Sequence, residues 1–414
     1  MSNRRSGRAA VTGIGVIAPN GLRTDAYWKS VREGLTVLDL IGRDGCGHLP
    51  LRVAGEVRSF DPADLIEDRF LVQTDRFSHF AMAAAALALD DAGLGGDPAE
   101  PYSIGVVTAA GSGGGEFGQR ELQKLWGKGS KFVGPYQSIA WFYAASTGQI
   151  SIRSGLKGPC GVVASDEAGG LDSLAHASRA VRRGTDVMVV GAAEAPLAPY
   201  SMVCQLGYPE LSTVDDPDRA YRPFTEKACG FVPAEGGALL VVEDEARARE
   251  RGVPVRATVA GHAATFTGAS RWAESREGLA RAIRGALDEA GCAPEEIDVV
   301  FADAMGVPEA DRAEALAIAD ALGAHGTRVP VTAPKTGIGR AYCAAPVLDT
   351  VAAVLAMEHG QVPPTPNVFD TCHDLDLVMS RARPAELRTA LVLSRGLMGS
   401  NAALVVRRGD DSAR

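Results

Sequence analysis

The chain has 414 residues, 46% of them apolar, and a formal net charge of −9, the profile of a soluble globular protein with a sizeable core. The acidic balance, without a basic run interleaved with aromatics, argues against nucleic acid, and no apolar run reaches the length of a membrane span. Seven cysteines form no CxxC pair, which argues against a zinc knuckle or a disulfide framework and favours a reducing cytoplasm.

The basic start MSNRRSGRAA is followed by VTGIGVIAPNG, whose Gly and Pro break up the apolar stretch that a signal peptide needs. Arg8-Ala-Ala-Val-Thr-Gly13 reads as a strand. Gly13-Ile-Gly15 matches a dinucleotide fingerprint only in part: Ala18-Pro19-Asn20-Gly21 is turn chemistry where a helix should begin, so a strand ending in a glycine turn is preferred. An Ala-rich helical pattern closes at Ala88-Leu-Asp-Asp-Ala-Gly93, and the β-branched run Ile104–Ala109 follows. Further on, Val163-Ala-Ser-Asp-Glu-Ala-Gly-Gly-Leu-Asp172 has the form of a strand, turn and helix that present one side chain at a helix N-terminus. The side chain presented is Glu167.

The helical segment from Leu171 to Arg183 carries Arg179, Arg182 and Arg183 with the spacing of a solvated face. Cys160 is read as a small buried apolar residue, and His176 as a packed side chain and not a base. Glu243-Asp-Glu-Ala-Arg-Ala-Arg-Glu-Arg-Gly252 reads as a charged surface connection within one compact unit. Beyond it the first half is echoed in order: Arg256-Ala-Thr-Val-Ala-Gly261, Ala286-Leu-Asp-Glu-Ala-Gly291, the run Ile297–Ala302, and a helix from Ala345 to His359. The expected fold is therefore α/β, two related βαβαβ halves (1–250 and 251–414) with a mostly parallel sheet buried on both faces.

Four segments together resemble the β-ketoacyl synthases of the thiolase fold, nearly along the whole chain: VASDEAGGLDSL from Val163, RPFTEKACGFVPAEGGALLVVE from Arg222, FADAMGVPEADRAE from Phe301 and VTAPKTGIGRAYCAAPVLDT from Val331. The resemblance implies a layered α/β/α/β/α core and no metal or cofactor. In active synthases a cysteine at a helix N-terminus accepts the acyl chain, and two histidines stabilise the enolate formed on decarboxylation. The matching positions hold Glu167, Asp303 and Arg340. Lys335, Asp311, Arg312 and Glu314 match the family pattern, and Leu397 and Met398 fall where these enzymes carry a gating loop. A carboxylate is a poor acyl acceptor, Asp303 would repel an enolate, and Arg340 cannot accept a proton, so condensation by this chain alone is not expected. Since buried charges persist only when paired, Glu167 is expected near Arg340 or Lys335.

Loss of the cysteine on a retained scaffold resembles the chain length factor, the ketosynthase β subunit of bacterial type II polyketide synthases. GGGEFGQRELQKLWGKG from Gly113 and YQSIAWFYAASTGQISIRSG from Tyr136 carry this likeness, with Glu167 where that branch usually has glutamine. The resemblance implies a heterodimer with a cysteine-bearing ketosynthase α subunit, an acyl carrier protein, and a poly-β-keto chain held in a tunnel. Tunnel-gating positions match Gly115, Gly118 and Leu122; two glycines and one leucine there imply a deep cavity and a long product, a decaketide or longer, with a dodecaketide as the single expectation. Phe117 and Trp126 belong to core or interface. Two other readings remain open: a self-sufficient malonyl decarboxylase or acyltransferase using Glu167, and a homodimeric scaffold.

Overall fold

A computed structural model describes residues 7–96, 98–268 and 272–409; the basic start at 1–6 lies outside the described residues. Eleven strands form one hydrogen-bonded sheet: β1 (Ala9–Ile17), β2 (Ile104–Ala109), β3 (Cys160–Val163), β4 (Val187–Glu194), β5 (Gly236–Asp244), β6 (Ala257–Phe266), β7 (Val299–Phe301), β8 (Pro330–Thr332), β9 (Asp376–Leu377), β10 (Thr389–Arg395) and β11 (Ser400–Arg408). Their spatial order is β9-β8-β7-β10-β11-β6-β1-β5-β4-β2-β3. Read outward from the central β1/β6 pair, the halves run β1-β5-β4-β2-β3 and β6-β11-β10-β7-β8-β9, the same order of first, last, last but one, second and third strand, with β9 added at the edge of the second half.

The sheet is mixed, and the mostly parallel expectation is corrected. The last strand of each half runs against its neighbours: β5 is antiparallel to β1 and β4, and β11 to β10 and β6. In the second half the reason is local. Only Gly396–Gly399 separates β10 from β11, and so short a turn closes an antiparallel pair, whereas a parallel return needs a long crossover.

Seven helices matter here: α1 (Arg76–Asp91), α2 (Gly115–Lys128), α3 (Gly169–Arg182), α4 (Pro199–Gln205), α5 (Ser275–Ala290), α6 (Pro308–Leu322) and α7 (Ala345–His359). α1 covers one outer face with the first half's strands, and α5 and α6 cover the equivalent face of the second half. α3 and α7 pack on each other in the middle layer, within a core shared by strands of both halves. A helix in that layer meets protein on every side, and α7 is accordingly apolar almost all round, buried from Ala345 through Met357. Among the described residues no helix is long and apolar enough to cross a membrane.

The echoed glycines have a packing cause. A Cβ on Gly13 would sit 2.2 Å from the Ala88 carbonyl oxygen of α1, and one on Gly261 would sit 2.2 Å from the Ala286 carbonyl oxygen of α5. Each first strand therefore approaches its covering helix at backbone contact, and Gly15 does so again at Ala84. Gly13 and Gly15 lie inside β1, not in a turn at its end. Three further readings change. Cys160 is exposed, because it opens β3 at the free edge of the sheet. His176 is exposed on α3, alongside Arg179, Arg182 and Arg183, which are solvated as expected. The connection 243–252 begins buried: Glu243 accepts from Thr12 Oγ1 at 2.7 Å and pairs with Arg251 at 2.9 Å, fastening it to β1.

Candidate functional site

After β3 the chain turns through Asp166, whose φ of 57° lies in the left-handed region that aspartate tolerates better than most residues. Glu167 follows, and α3 begins at Gly169. A Cβ on Gly170 would lie 2.2 Å from the Cys343 carbonyl oxygen, so glycine lets the start of α3 meet the segment leading into α7. Glu167 is thereby placed beside Arg340, both fully enclosed, at 3% and 1% exposure.

Glu167 Oε2 accepts from Arg340 Nε at 2.7 Å and lies 2.5 Å from Nη2. The same guanidinium reaches Asp303 Oδ1 at 2.7 Å and donates to the Asp303 and Arg395 carbonyl oxygens. Asp303 is held on its other side by the Arg395 amide, 2.9 Å from Oδ1, and by Arg395 Nε, 3.2 Å from Oδ2. Arg395 continues to Glu314 at 3.0 Å. Lys335 does not reach Glu167. It pairs with Asp349 at 2.5 Å and donates to the Ala302 and Asp303 carbonyl oxygens. Glu167, Asp303 and Arg340, singled out in the sequence, are thus brought together as an ion network.

Electrostatics sort the carboxyl groups. Burial pushes Glu167 up to about 7, with Arg340 opposing, and Glu167 Oε1 has no hydrogen-bond partner. Burial would also raise Asp303, but Arg340, Arg395 and Lys335 around it hold its carboxyl below the ordinary value. Asp311 is pushed up to about 7 and Asp349 to about 6, both by burial. Asp311 accepts from the Phe224 and Gly306 amides, and Glu314 from the Asp303 and Ala304 amides. Phe224 and Ala304 both have positive φ, so these two acids fix strained backbone around the site. Arg312 is exposed.

Arg395 and Asp349 are buried ion-pair partners in the site that sequence reasoning missed. Signals existed: Arg395 ends the apolar strand TALVLSR, and Asp349 is a carboxylate in the first turns of a helix that is apolar up to Met357. Charges in such settings need buried partners.

Above Glu167 opens a cavity of about 390 Å³, lined among others by Gly115, Glu194, Ser201, Gln205, Tyr342 and Leu397. Gly115 stands at its wall, where a Cβ would lie 2.2 Å from Ser201 Oγ of α4. Gly118 is buried on α2 facing Gln137 and Trp141, and Leu122 is 39% exposed; neither lines this cavity. Leu397 lines it, while Met398 is exposed and its amide donates to Asp166 Oδ2 at 2.7 Å. Phe117 belongs to the buried residues and Trp126, at 83% exposure, to the surface.

At the start of α3 the arrangement presents a carboxyl group and not a thiol, while Cys204 on α4 is an exposed thiol of the cavity wall. Cys343 also lines the cavity, but burial and the carboxyl groups of Glu194, Glu167 and Asp166 push its thiol far above the ordinary value, so it stays protonated. Among the described residues no group of His, Cys, Asp and Glu is arranged to hold a metal.

The chain matches "Beta-ketoacyl synthase, N-terminal domain" over residues 7–248 and "Beta-ketoacyl synthase, C-terminal domain" over residues 256–369. It is 76% identical over 405 residues to the "Putative polyketide beta-ketoacyl synthase 2" of Streptomyces coelicolor, covering 98% of this chain and 96% of that one. The "Tetracenomycin polyketide synthase ketoacyl synthase beta subunit" of Streptomyces glaucescens is 49% identical, with 96% and 98% covered. Among solved structures, "The ishigamide ketosynthase/chain length factor" superposes with a TM-score of 0.89 at 29% identity, over 98% of this chain and 100% of that one.

Proposed function

Since this chain belongs to the β-ketoacyl synthase family and, within it, to the ketosynthase β type of type II polyketide synthases, we propose that it sets polyketide chain length without catalysing the condensation. The observation that carries this reading is the Glu167–Arg340–Asp303 lock, which occupies the place of a nucleophile and an oxyanion-stabilising pair beneath a preserved cavity.

The active nucleophile comes from a cysteine-bearing ketosynthase partner. Two features support such a partner. Apolar side chains stand exposed on both sides of the cavity: Trp126, Trp141 and Phe142 in and after α2, and Tyr200 and Val203 on α4. The edge of β3 is also free to extend the sheet into a second subunit. An acyl carrier protein delivers the malonyl units, and the chain's net charge of −9 leaves much of the basic docking surface to the partner. With glycine at 115 on its wall, the cavity accepts a long chain, a decaketide or longer and specifically a dodecaketide.

A second reading has its own support. Glu167 lines the cavity, has a free Oε1 and a carboxyl raised to about 7, so its protonated form could donate to a malonyl thioester and assist decarboxylation by the isolated chain.

Gly115→Phe and Gly118→Phe in the heterodimer test the length assignment. The ring at 115 must displace Ser201 or fill the cavity, and the main product is expected to shorten. Unchanged product length in both variants, by mass spectrometry, would remove these positions from length control.

A further inference from the structure

α2 is unusual in how its start is held. Its N-cap is Gly114, which has no side chain to accept from the orphan amides of the first turn. A larger residue is barred there, because a Cβ on Gly114 would lie 2.0 Å from the Ala140 carbonyl oxygen. The missing cap comes from Asp75, distant in sequence and 1% exposed. Its Oδ2 accepts from the Phe117 amide of α2 at 2.6 Å, while its Oδ1 accepts from the Phe77 amide and caps α1. One carboxylate thus ties the start of α2 to the core helix α1.

A second borrowed cap lies on the other side. α4 follows Ala198, which has no capping side chain, and Gln119 of α2 supplies one: its Oε1 accepts from the Tyr200 amide at 2.7 Å. α4 carries Ser201, the residue facing Gly115 across the cavity wall.

We propose that Asp75 and Gln119 are positioning residues that clamp α2 between α1 and α4, fixing the cavity width at Gly115 and with it the sharpness of the product length. This rests on the length-setting reading above. The two residues touch neither substrate nor the ion network; they act through the helices that form the wall.

The test uses the heterodimer with its ketosynthase partner and malonyl-loaded carrier protein, and reads the distribution of product lengths by mass spectrometry. Gln119→Ala is expected to lower the ratio of the main product to its neighbours by about five-fold, the weight of one capping hydrogen bond. Gln119→Glu keeps the acceptor and should retain the wild-type ratio. Asp75→Ala should broaden the distribution further, and Asp75→Asn, which retains one acceptor oxygen, should fall between. A general loss of stability would lower yield without changing the ratio. A wild-type ratio in Gln119→Ala, when Gly115→Phe in the same assay does shorten the product, would overturn the clamp alone. Unchanged length in Gly115→Phe would overturn the length reading beneath it. Gln119 is only half-buried, so its variants decide the matter even if Asp75→Ala does not fold.

Discussion

Glu167 experiences two opposed influences, burial that favours the neutral acid and Arg340 that favours the carboxylate, and burial prevails, placing its carboxyl near 7 against an ordinary 4.5. Below pH 4.5 the group is protonated folded and unfolded alike. As pH rises from there to about 7 the unfolded chain gives up its proton first, so the folded state loses stability across that window and levels off above it. The difference is on the order of 3 kcal/mol. Gln at this position cannot ionise. The melting temperature of Glu167→Gln relative to wild type is therefore expected to rise between about pH 5 and about pH 8, and a constant difference would show that Glu167 does not titrate in this range. The convergence of Glu167, Asp303 and Arg340 was legible because each falls in a distinct motif and opposite charges in one site must pair. That Arg340, not Lys335, would take Glu167 was not legible: Asp349 claims Lys335, and nothing in the local sequence assigns that partner.

Backbone contact governs the elements. The repeated Gly in AAVTG and ATVAG marks the two points where a first strand touches its covering helix, and this is why the duplication could be seen in the sequence. Gly13→Ala and Gly261→Ala are each expected to destabilise by roughly 1–3 kcal/mol, since helix or strand must move. Gly127→Ala, on α2 with open space around its Cβ, should be neutral or slightly stabilising. Urea midpoints check all three; a harmless alanine at 13 and 261 would contradict the close approach. The direction of the last strand of each half was hidden, because an apolar run looks the same parallel or antiparallel; only the short Gly396–Gly399 turn carried the information for β11. Cys160 was misjudged for a similar reason, since burial depends on whether β3 is central or at the edge, and a strand of four residues does not say which.

On the scale of the whole molecule, a closed ion network sits under an open cavity whose two sides carry exposed aromatic residues. A surface of that kind is costly in water, and the second subunit proposed above would cover it and supply a thiol. The layered fold and the residues that meet at the site could be reached from ordered motifs. The cavity wall could not, because Ser201 meets Gly115 through a helix far along the chain, and no spacing rule links the two. The most direct test of the central claim is mass spectrometry of products formed from malonyl-loaded carrier protein by this chain alone and by the chain co-purified with its ketosynthase partner. A long polyketide from the pair, with neither product nor malonyl decarboxylation from the chain alone, is the predicted result. Condensation product or rapid decarboxylation from the isolated chain would contradict it and make Glu167 a working catalytic group.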